Sequence, residues 1–134
     1  MLDSLSVKEA EHIGDLAEEV QRSQEKLLNK MQSDGQQRPD AIREEAYASF
    51  AALKAVDDGS LQSLEDAIRA LSAEARHELT ALMLVGRGEY AAKEWRAAME
   101  QAEATPPDTE VERLIEKSAL ASYLNKGLYE LGLR

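Results

Sequence analysis

The chain has 134 residues, no cysteine and a formal net charge of −10, with 26 acidic against 16 basic residues. A chain of this length is typically one domain, and it can bury a core without disulfides or metals. The lack of cysteine excludes a disulfide framework, a thiolate metal site and a cysteine nucleophile. The negative charge disfavours binding to nucleic acid or to an anionic membrane surface, because both would be repelled.

Composition and periodicity predict an all-α protein, a single-domain bundle of six or seven helices over residues 1–134. Alanine, leucine and glutamate are frequent, and all three favour helix. No run of β-branched residues alternates with a period of two, so no segment is a good candidate for a strand. No stretch approaches the roughly 18 apolar residues of a membrane span, and the first residues lack the blocks of a signal peptide. We therefore expect a cytoplasmic protein.

The first predicted helix is long and begins at a capping box. Ser6 and Glu9 are spaced as Ser-x-x-Glu, in which each side chain bonds the other residue's backbone N–H. Apolar residues then recur at helical spacing to about residue 32. Two alternatives stay open for their stripe. It packs on the body of the domain, or partly on a second copy of the chain, with residues 1–38 peripheral or dimerising.

Two further helices are predicted before the centre of the chain. The first restarts at Pro39 or Asp40, carries an alanine-rich face, and stops at Gly59, which we expect to be left-handed. Ser60 is then expected to cap a short helix of about 60–71.

A central helix is predicted at about 73–85, capped by Ser72. Five apolar residues, 81–85, run without a break at its end. A helix that is apolar on all sides belongs in the interior of a domain. The rest of the chain is therefore expected to cover this helix.

The C-terminal part is predicted to hold two or three helices. One spans about 89–104, with Ala91 facing inward, and stops at a pair of prolines, because the residue before a proline disfavours helix. Asp108 or Thr109 is expected to cap the next. Two apolar stripes that follow are out of phase, which predicts a break near Ser118, with that serine capping a final helix to about residue 131.

The C-terminal half also carries a series of features in order: an acidic helix, an apolar run into a Gly-Arg-Gly-acid-aromatic block, a tryptophan, and a leucine-rich end with a late Gly-Leu. In this chain they are Glu74, Glu78, 81–85, Gly86-Arg87-Gly88-Glu89-Tyr90, Trp95, Tyr123-Leu124-x-x-Gly127-Leu128 and Gly132. On these features residues 61–132 resemble the bacterial family catalogued as domain of unknown function 3775. The resemblance implies a shared fold for a family-like core at 60–132, and it implies no activity. Lys117 and Ala119 stand where the family often has a glycine and a proline, so the break there is expected to be softer or absent.

The only two histidines each follow a glutamate by three residues, in the pairs Glu9/His12 and Glu74/His77. Residues i and i+3 share a helix face, and ferritin-like di-metal bundles combine two such pairs with glutamates from other helices. Candidates for those further glutamates are Glu44, Glu65 and Glu94. Glutamate is 18 of 134 residues, however, and both pairs lie near a first helical turn, where the helix dipole favours it anyway. We therefore attribute the two Glu-x-x-His pairs to chance rather than to a metal site, and we predict no cofactor.

One corner of the sequence is the candidate for an anion-binding or partner-binding site: Gly86, Arg87, Gly88, Glu89, Tyr90 and Trp95. Backbone amides at a glycine turn and at a helix start can cradle an anion, and a guanidinium binds carboxylate or phosphate in a bidentate way. The alternative is structural and is the one we favour. In it, a Schellman-type end lies at Gly86, a turn lies at Gly88, and Arg87 bridges helix ends or pairs with Glu89.

The sequence holds no nucleophile elbow, phosphate-binding loop, dinucleotide loop or calcium loop, and no spacing that suggests a catalytic triad. It favours a non-enzymatic helical interaction or adaptor protein, which associates with itself or with another protein. The alternative is a binding protein for a small anion at Arg87 or for a di-metal centre at the two histidines.

Overall fold

The computed structural model describes residues 2–33, 59–117 and 119–133, which form six α-helices and a 3-10 turn without any strand. The helices are α1 (Val7–Ser33), α2 (Ser60–Ala70), α3 (Ala73–Gly86), α4 (Trp95–Glu103), α5 (Pro107–Glu116) and α6 (Leu120–Glu130), and the 3-10 turn is Ala92–Glu94. The prediction of an all-α fold is therefore confirmed. The helix predicted from Pro39 or Asp40 lies outside the described residues. No helix in the described ranges is both long and apolar enough to cross a membrane.

The central helix, α3, is buried on nearly all sides, as the apolar run predicted. It packs against α4 and α6 and more lightly against α5, and both Leu79 and Leu82 are fully buried. The helix begins where predicted, because Ser72 Oγ accepts the N–H of Ala75 at 3.2 Å. It continues one residue past the apolar run and ends at Gly86.

The helices α3 and α6 cross in backbone contact, and a glycine on each helix permits this approach. A Cβ placed on Gly86 would lie 1.8 Å from the carbonyl oxygen of Tyr123, and one on Gly127 would lie 2.3 Å from the carbonyl oxygen of Leu82. The two contacts are reciprocal, since each of these carbonyls belongs to the residue one turn before the glycine of its own helix. A side chain at either position would force the two helices apart.

The Schellman motif that ends α3 lies two residues later than predicted. Gly88 is the left-handed residue, with a φ of 84°. Its N–H donates to the carbonyl of Val85 at 3.0 Å, and the N–H of Glu89 donates to the carbonyl of Leu84 at 3.1 Å. This pair of bonds defines the motif. Gly86 is the last helical residue and serves the contact with α6, so the helix does end there, but the left-handed residue of the motif is Gly88.

The first helix follows its prediction closely. The N–H of Ser6 donates to Glu9 Oε1 at 3.1 Å, and the N–H of Glu9 donates to Ser6 Oγ at 3.0 Å, which is the predicted capping box. From there α1 runs to Ser33 and packs against α2 and α6. Ile13 and Val20 are buried in the core. The first half of the stripe on α1 therefore packs on the body of the domain.

A buried carboxylate on α3 holds the segment that precedes α1. Glu78 is 3% exposed and accepts the backbone N–H groups of Asp3, Ser4 and Leu5, with 2.8 Å from Ser4 N to Oε2 and 3.2 Å from Leu5 N to Oε2. Glu74, one turn earlier, accepts the hydroxyl of Ser4 at 3.0 Å. A buried charge is tolerated only when its oxygens are paired. These N–H groups supply the pairing, so the carboxylate ties the N-terminal segment to the central helix.

We expect Glu78→Gln to loosen this tether, because an amide nitrogen cannot accept a hydrogen bond and the remaining oxygen is uncharged. The expected loss in the free energy of unfolding is about 2 kcal/mol. Amide hydrogen exchange should accelerate at Ser4 and Leu5 and change little in α5. Glu74→Gln is the matched control, since Glu74 accepts a hydroxyl and, among the described residues, no backbone N–H; this change should leave exchange at Leu5 as in the wild type. Wild-type exchange at Leu5 in Glu78→Gln would contradict the proposed tether.

The starts of α2 and α4 differ in detail from their predictions. Gly59 is left-handed, with a φ of 98°, as predicted, but Ser60 is the first helical residue and not the cap. The corner after α3 stays non-helical through Ala91, whose N–H donates to Glu94 Oε1 at 2.8 Å, and α4 begins only at Trp95. Ala91 is exposed. Its predicted inward orientation is wrong, because the bond from its N–H to Glu94 makes Ala91 the capping residue before the 3-10 turn and not a residue of the helix.

The last two helices are separate, as the phase change of the apolar stripes predicted. α5 begins at Pro107, where the missing N–H of proline costs no helical bond. Neither Asp108 nor Thr109 is therefore its cap. α6 begins at Leu120, and Ser118, which was predicted to cap it, lies outside the described residues.

Candidate functional site

A cleft of about 410 Å³ lies beside the central helix, between α3, α4 and α5. Its walls come from α3, from the corner after α3, from the C-terminal end of α4 and from α5. The lining residues are Thr80, Met83, Leu84, Arg87, Glu89, Tyr90, Gln101, Thr105, Glu110, Arg113 and Lys117. Small-molecule sites have volumes from a few hundred to about 1,000 Å³, so the cleft has the size of a ligand site.

The structure divides the predicted anion or partner site into two groups. The members that line the cleft are Arg87, Glu89 and Tyr90. Gly86 faces α6, and Gly88 closes the end of α3. Trp95 is half-buried and packs against the hydrophobic core. Half of the predicted set therefore belongs to a common surface, and the other half has a packing or turn role.

The guanidinium of Arg87 stands at the corner of the cleft between an acid and a ring. Its Nη1 lies 3.7 Å from Glu89 Oε2, which is the predicted pairing, and its Cζ lies 5.7 Å from the centroid of the Tyr123 ring. The ion pair is long and half-exposed, so it stabilises the fold little. The N–H groups of Arg87, Gly88 and Glu89 all donate to carbonyls of α3. An anion at this corner could therefore bind the guanidinium, but not these backbone N–H groups, which are already hydrogen-bonded.

The floor of the cleft is a buried polar network centred on Glu110, which is 1% exposed. Its Oε1 accepts from Arg76 Nε at 2.7 Å, and its Oε2 lies 3.0 Å from His77 Nδ1. Thr80 Oγ1 lies 2.9 Å from the same Oε2 and 3.1 Å from the carbonyl oxygen of Arg76. Charge-assisted bonds of this kind are what make a buried carboxylate tolerable.

The sequence contains one signal for this network that was not used in the prediction, which is the position of Glu110 on the apolar face of its helix. A glutamate in the first turn of a helix is ordinary, because the helix dipole favours it there. Glu110, however, lies one residue before Val111 and one turn before Leu114, so it shares the apolar face of α5. Both of those residues are buried. A glutamate on the buried face requires a partner, and Arg76 on α3 supplies it.

The two Glu-x-x-His pairs have separate roles in the structure. Glu9 closes the capping box of α1, while His12 is exposed. Glu74 bonds the N-terminal segment and His77 contacts the cleft floor. Within the described ranges no three His, Cys, Asp or Glu residues are grouped so that they could hold a metal ion. Glu44, one candidate for a further ligand, lies outside those ranges.

The cleft carries an excess of positive charge. Its basic side chains are Arg87, Arg113 and Lys117, and its carboxylates are Glu89 and Glu110. Both carboxylates already have a cationic partner. In the part of the chain that the structure describes, Arg113 and Lys117 form no side-chain ion pair. Two unpaired cations thus face one cavity in a chain whose net charge is −10.

Comparison with known families gives a match. The family model described as protein of unknown function (DUF3775) matches residues 61–133, more than half of the chain, which confirms the resemblance seen in the sequence. The matched segment contains every residue that lines the cleft and both glycines of the α3–α6 crossing. Neither the curated proteins nor the solved structures contain a match to this chain.

Proposed function

The chain belongs to the DUF3775 family, whose function is unknown, and from that premise we propose that it is a non-enzymatic binding protein for a small carboxylate or phosphate. The ligand occupies the cleft beside α3. The observation that carries the proposal is the convergence of Arg87, Arg113 and Lys117 on one cavity of about 410 Å³. Like charges around one cavity repel one another, and an anion bound between them would relieve that repulsion.

The arrangement of the three cations supports this proposal. Arg113 and Lys117 are four residues apart at the C-terminal end of α5, a spacing that brings side chains together on a helix. Arg87 approaches from the corner after α3. Guanidinium groups bind an anion through parallel bonds, while an ammonium acts as a point charge. The ion pair between Arg87 and Glu89 is long, at 3.7 Å, so the guanidinium is available for a closer contact with a ligand.

Apolar side chains form one wall of the cleft and can contact the apolar part of a ligand. Met83 and Leu84 line the cleft from α3, and Tyr90 adds a ring at the corner. Ligand pockets usually combine an apolar lining with a few placed polar groups. The cleft has both, so the ligand we propose carries an anionic group on a short organic body.

The proposal is tested by anion-dependent stability. We expect phosphate or acetate to raise the melting temperature more than chloride does at the same ionic strength, because a ligand that binds only the native state stabilises it by mass action. Arg113→Gln should remove most of that rise. Amide chemical shifts in NMR should move at the cleft-lining residues of α3 and α5.

The matched control for this test is Arg96→Gln. Arg96 is an exposed arginine of α4 outside the cleft, 3.8 Å from Glu100, and its replacement changes the net charge by the same amount. It should keep the response to phosphate. Equal responses to all three anions, or equal losses in both variants, would refute an anion site in the cleft.

Association with a second copy or with another protein, predicted from the length of α1, stays a separate prediction. The first half of α1 packs on the domain, and the side chains of residues 26–33 lie outside the described ones. Anion binding in the cleft does not depend on such association. A cytoplasmic location also stays a prediction of the sequence.

A further inference from the structure

We infer that the ligand of the cleft is a dianion, a phosphate monoester or a dicarboxylate, and that the cleft binds it in preference to a monoanion of the same shape. This inference rests on the proposed function, because it concerns the same cleft. It narrows the ligand from small anions in general to those that carry two negative charges.

The charge that the cleft offers to a ligand follows from its ion pairs. The carboxylate of Glu110 has no exposed surface and is bonded to Arg76, which lies outside the lining. This pair therefore adds no net charge to the cavity. The three cations of the cleft remain, against the single carboxylate of Glu89. The cleft thus presents to a ligand a formal excess of two positive charges.

The three cations stand on two walls of the cleft. Arg113 and Lys117 are four residues apart at the end of α5, and neither forms an ion pair with a described residue. Like charges at this spacing on a helix repel each other. Arg87, at the corner after α3, has only the long ion pair with Glu89. A single negative charge between the walls would compensate part of the excess, whereas two negative charges would compensate all of it.

The net charge of the whole chain acts in the opposite direction. A net charge of −10 repels anions, and it repels a dianion about twice as strongly as a monoanion. The long-range field alone therefore favours monoanions. The cations that line the cleft are the nearest charges to a bound ligand, and salt screens distant charges more than near ones. A preference for dianions would therefore come from the cleft and not from the chain as a whole.

Two pairs of probes test the inference, because the members of each pair have nearly the same shape and differ by one charge. Methyl phosphate is a dianion at about pH 8, since its second ionisation lies at roughly pH 6, and methyl sulfate is a monoanion. Succinate is a dianion, and succinamate, its monoamide, is a monoanion. Isothermal titration of the full chain at constant ionic strength should show a dianion binding roughly tenfold more tightly than its matched monoanion, the effect of one further charge beside the cations of a half-solvated site.

The two pairs also distinguish the two sources of the double charge. A preference for methyl phosphate over methyl sulfate alone assigns both charges to one group, as in a phosphate monoester. A preference for succinate over succinamate alone assigns them to two groups, one for each wall that carries cations. Either result supports the inference.

Variants of exposed and half-buried residues assign the preference to the charge of the cleft. Glu89→Gln removes the carboxylate that pairs with Arg87, so the preferred dianion should bind several-fold more tightly. Glu112→Gln is the matched control, because it changes the net charge equally at an exposed position of α5 outside the cleft. Lys117→Gln should reduce the preference for dianions, whereas Lys126→Gln, an exposed position of α6 outside the cleft, should keep it.

The outcomes separate this inference from the proposed function. Equal affinity within both pairs, or tighter binding of the monoanions, would overturn the inference and leave the anion site standing. Equal gains in affinity in Glu89→Gln and Glu112→Gln would overturn the assignment of the preference to the cleft. The absence of any response to all four probes, to phosphate and to acetate would overturn the proposed function itself, and the inference with it.

Discussion

Gly86→Ala is expected to lower the free energy of unfolding by about 3 kcal/mol or more, one of the two largest effects of a single substitution in this protein. The added Cβ would lie 1.8 Å from the carbonyl oxygen of Tyr123, and a backbone carbonyl cannot rotate away as a side chain can. Overpacking of an ordinary core site costs about 1–3 kcal/mol. Here two helices must separate, so the cost lies at or above the top of that range. Chemical denaturation measures it directly.

Gly14→Ala is the matched control, because it makes the same change in a helix with open space around it. No atom outside the local helix lies within 4 Å of a Cβ at Gly14 in α1. Alanine there should stabilise the protein by about 0.5–1 kcal/mol, since glycine is a poor helix former. Gly127→Ala, which meets the carbonyl of Leu82 at 2.3 Å, should behave like Gly86→Ala. A stability of Gly86→Ala close to that of the wild type would show that α3 and α6 do not touch at this point.

The helix crossing also shows where prediction from the sequence succeeds and where it stops. The caps at Ser6 and Ser72 were predicted correctly, because each is a bond between residues three apart and needs no information about the rest of the chain. Gly86 and Gly88 look equivalent in the sequence. Their assignment depends on the approach of α6, which lies some forty residues away, so the Schellman motif was placed two residues too early.

The same limit applies to the candidate site. Arg87 was identified from its local surroundings, two glycines beside one charge. Arg113 and Lys117 were not identified, since a basic residue on a helix is usually a solvated one and nothing local distinguishes these two. Only the packing of α5 beside α3 places all three at one cavity. Local sequence therefore identified Arg87, while only the tertiary structure shows that Arg113 and Lys117 line the same cleft.

The central helix combines these roles because its faces are used differently. One face meets α6 in backbone contact, at Gly86 and at the carbonyl of Leu82. Another holds Arg76 and Thr80 against Glu110. A helix clamped to α6 in this way is a rigid support for cleft residues, which is what a site with fixed charge positions requires.

Arg76→Ala is expected to have an effect of similar size, about 3–5 kcal/mol, for an electrostatic reason. Glu110 is buried, and the guanidinium 2.7 Å from its Oε1 is its principal partner. Removing one member of a buried pair leaves an uncompensated charge, which is more costly than losing both members. The double variant Arg76→Met with Glu110→Met should therefore regain most of the stability that Arg76→Ala loses.

The exposed ion-pair cluster at Arg69 provides the comparison. Arg69 bonds Glu65 and Asp108 at 3.1–3.2 Å, and the bonds to Asp108 and then to Glu65 raise the pKa of its guanidinium above the ordinary value. Because this cluster faces solvent, Arg69→Ala should destabilise far less than Arg76→Ala in the same denaturation experiment. Similar losses in the two variants, or a double variant no more stable than Arg76→Ala, would show that the stranded charge of Glu110 is not the cause. Among the described residues, the Arg76–Glu110 pair is buried and joins α3 to α5 beneath the cleft, so its loss should also weaken the response to phosphate.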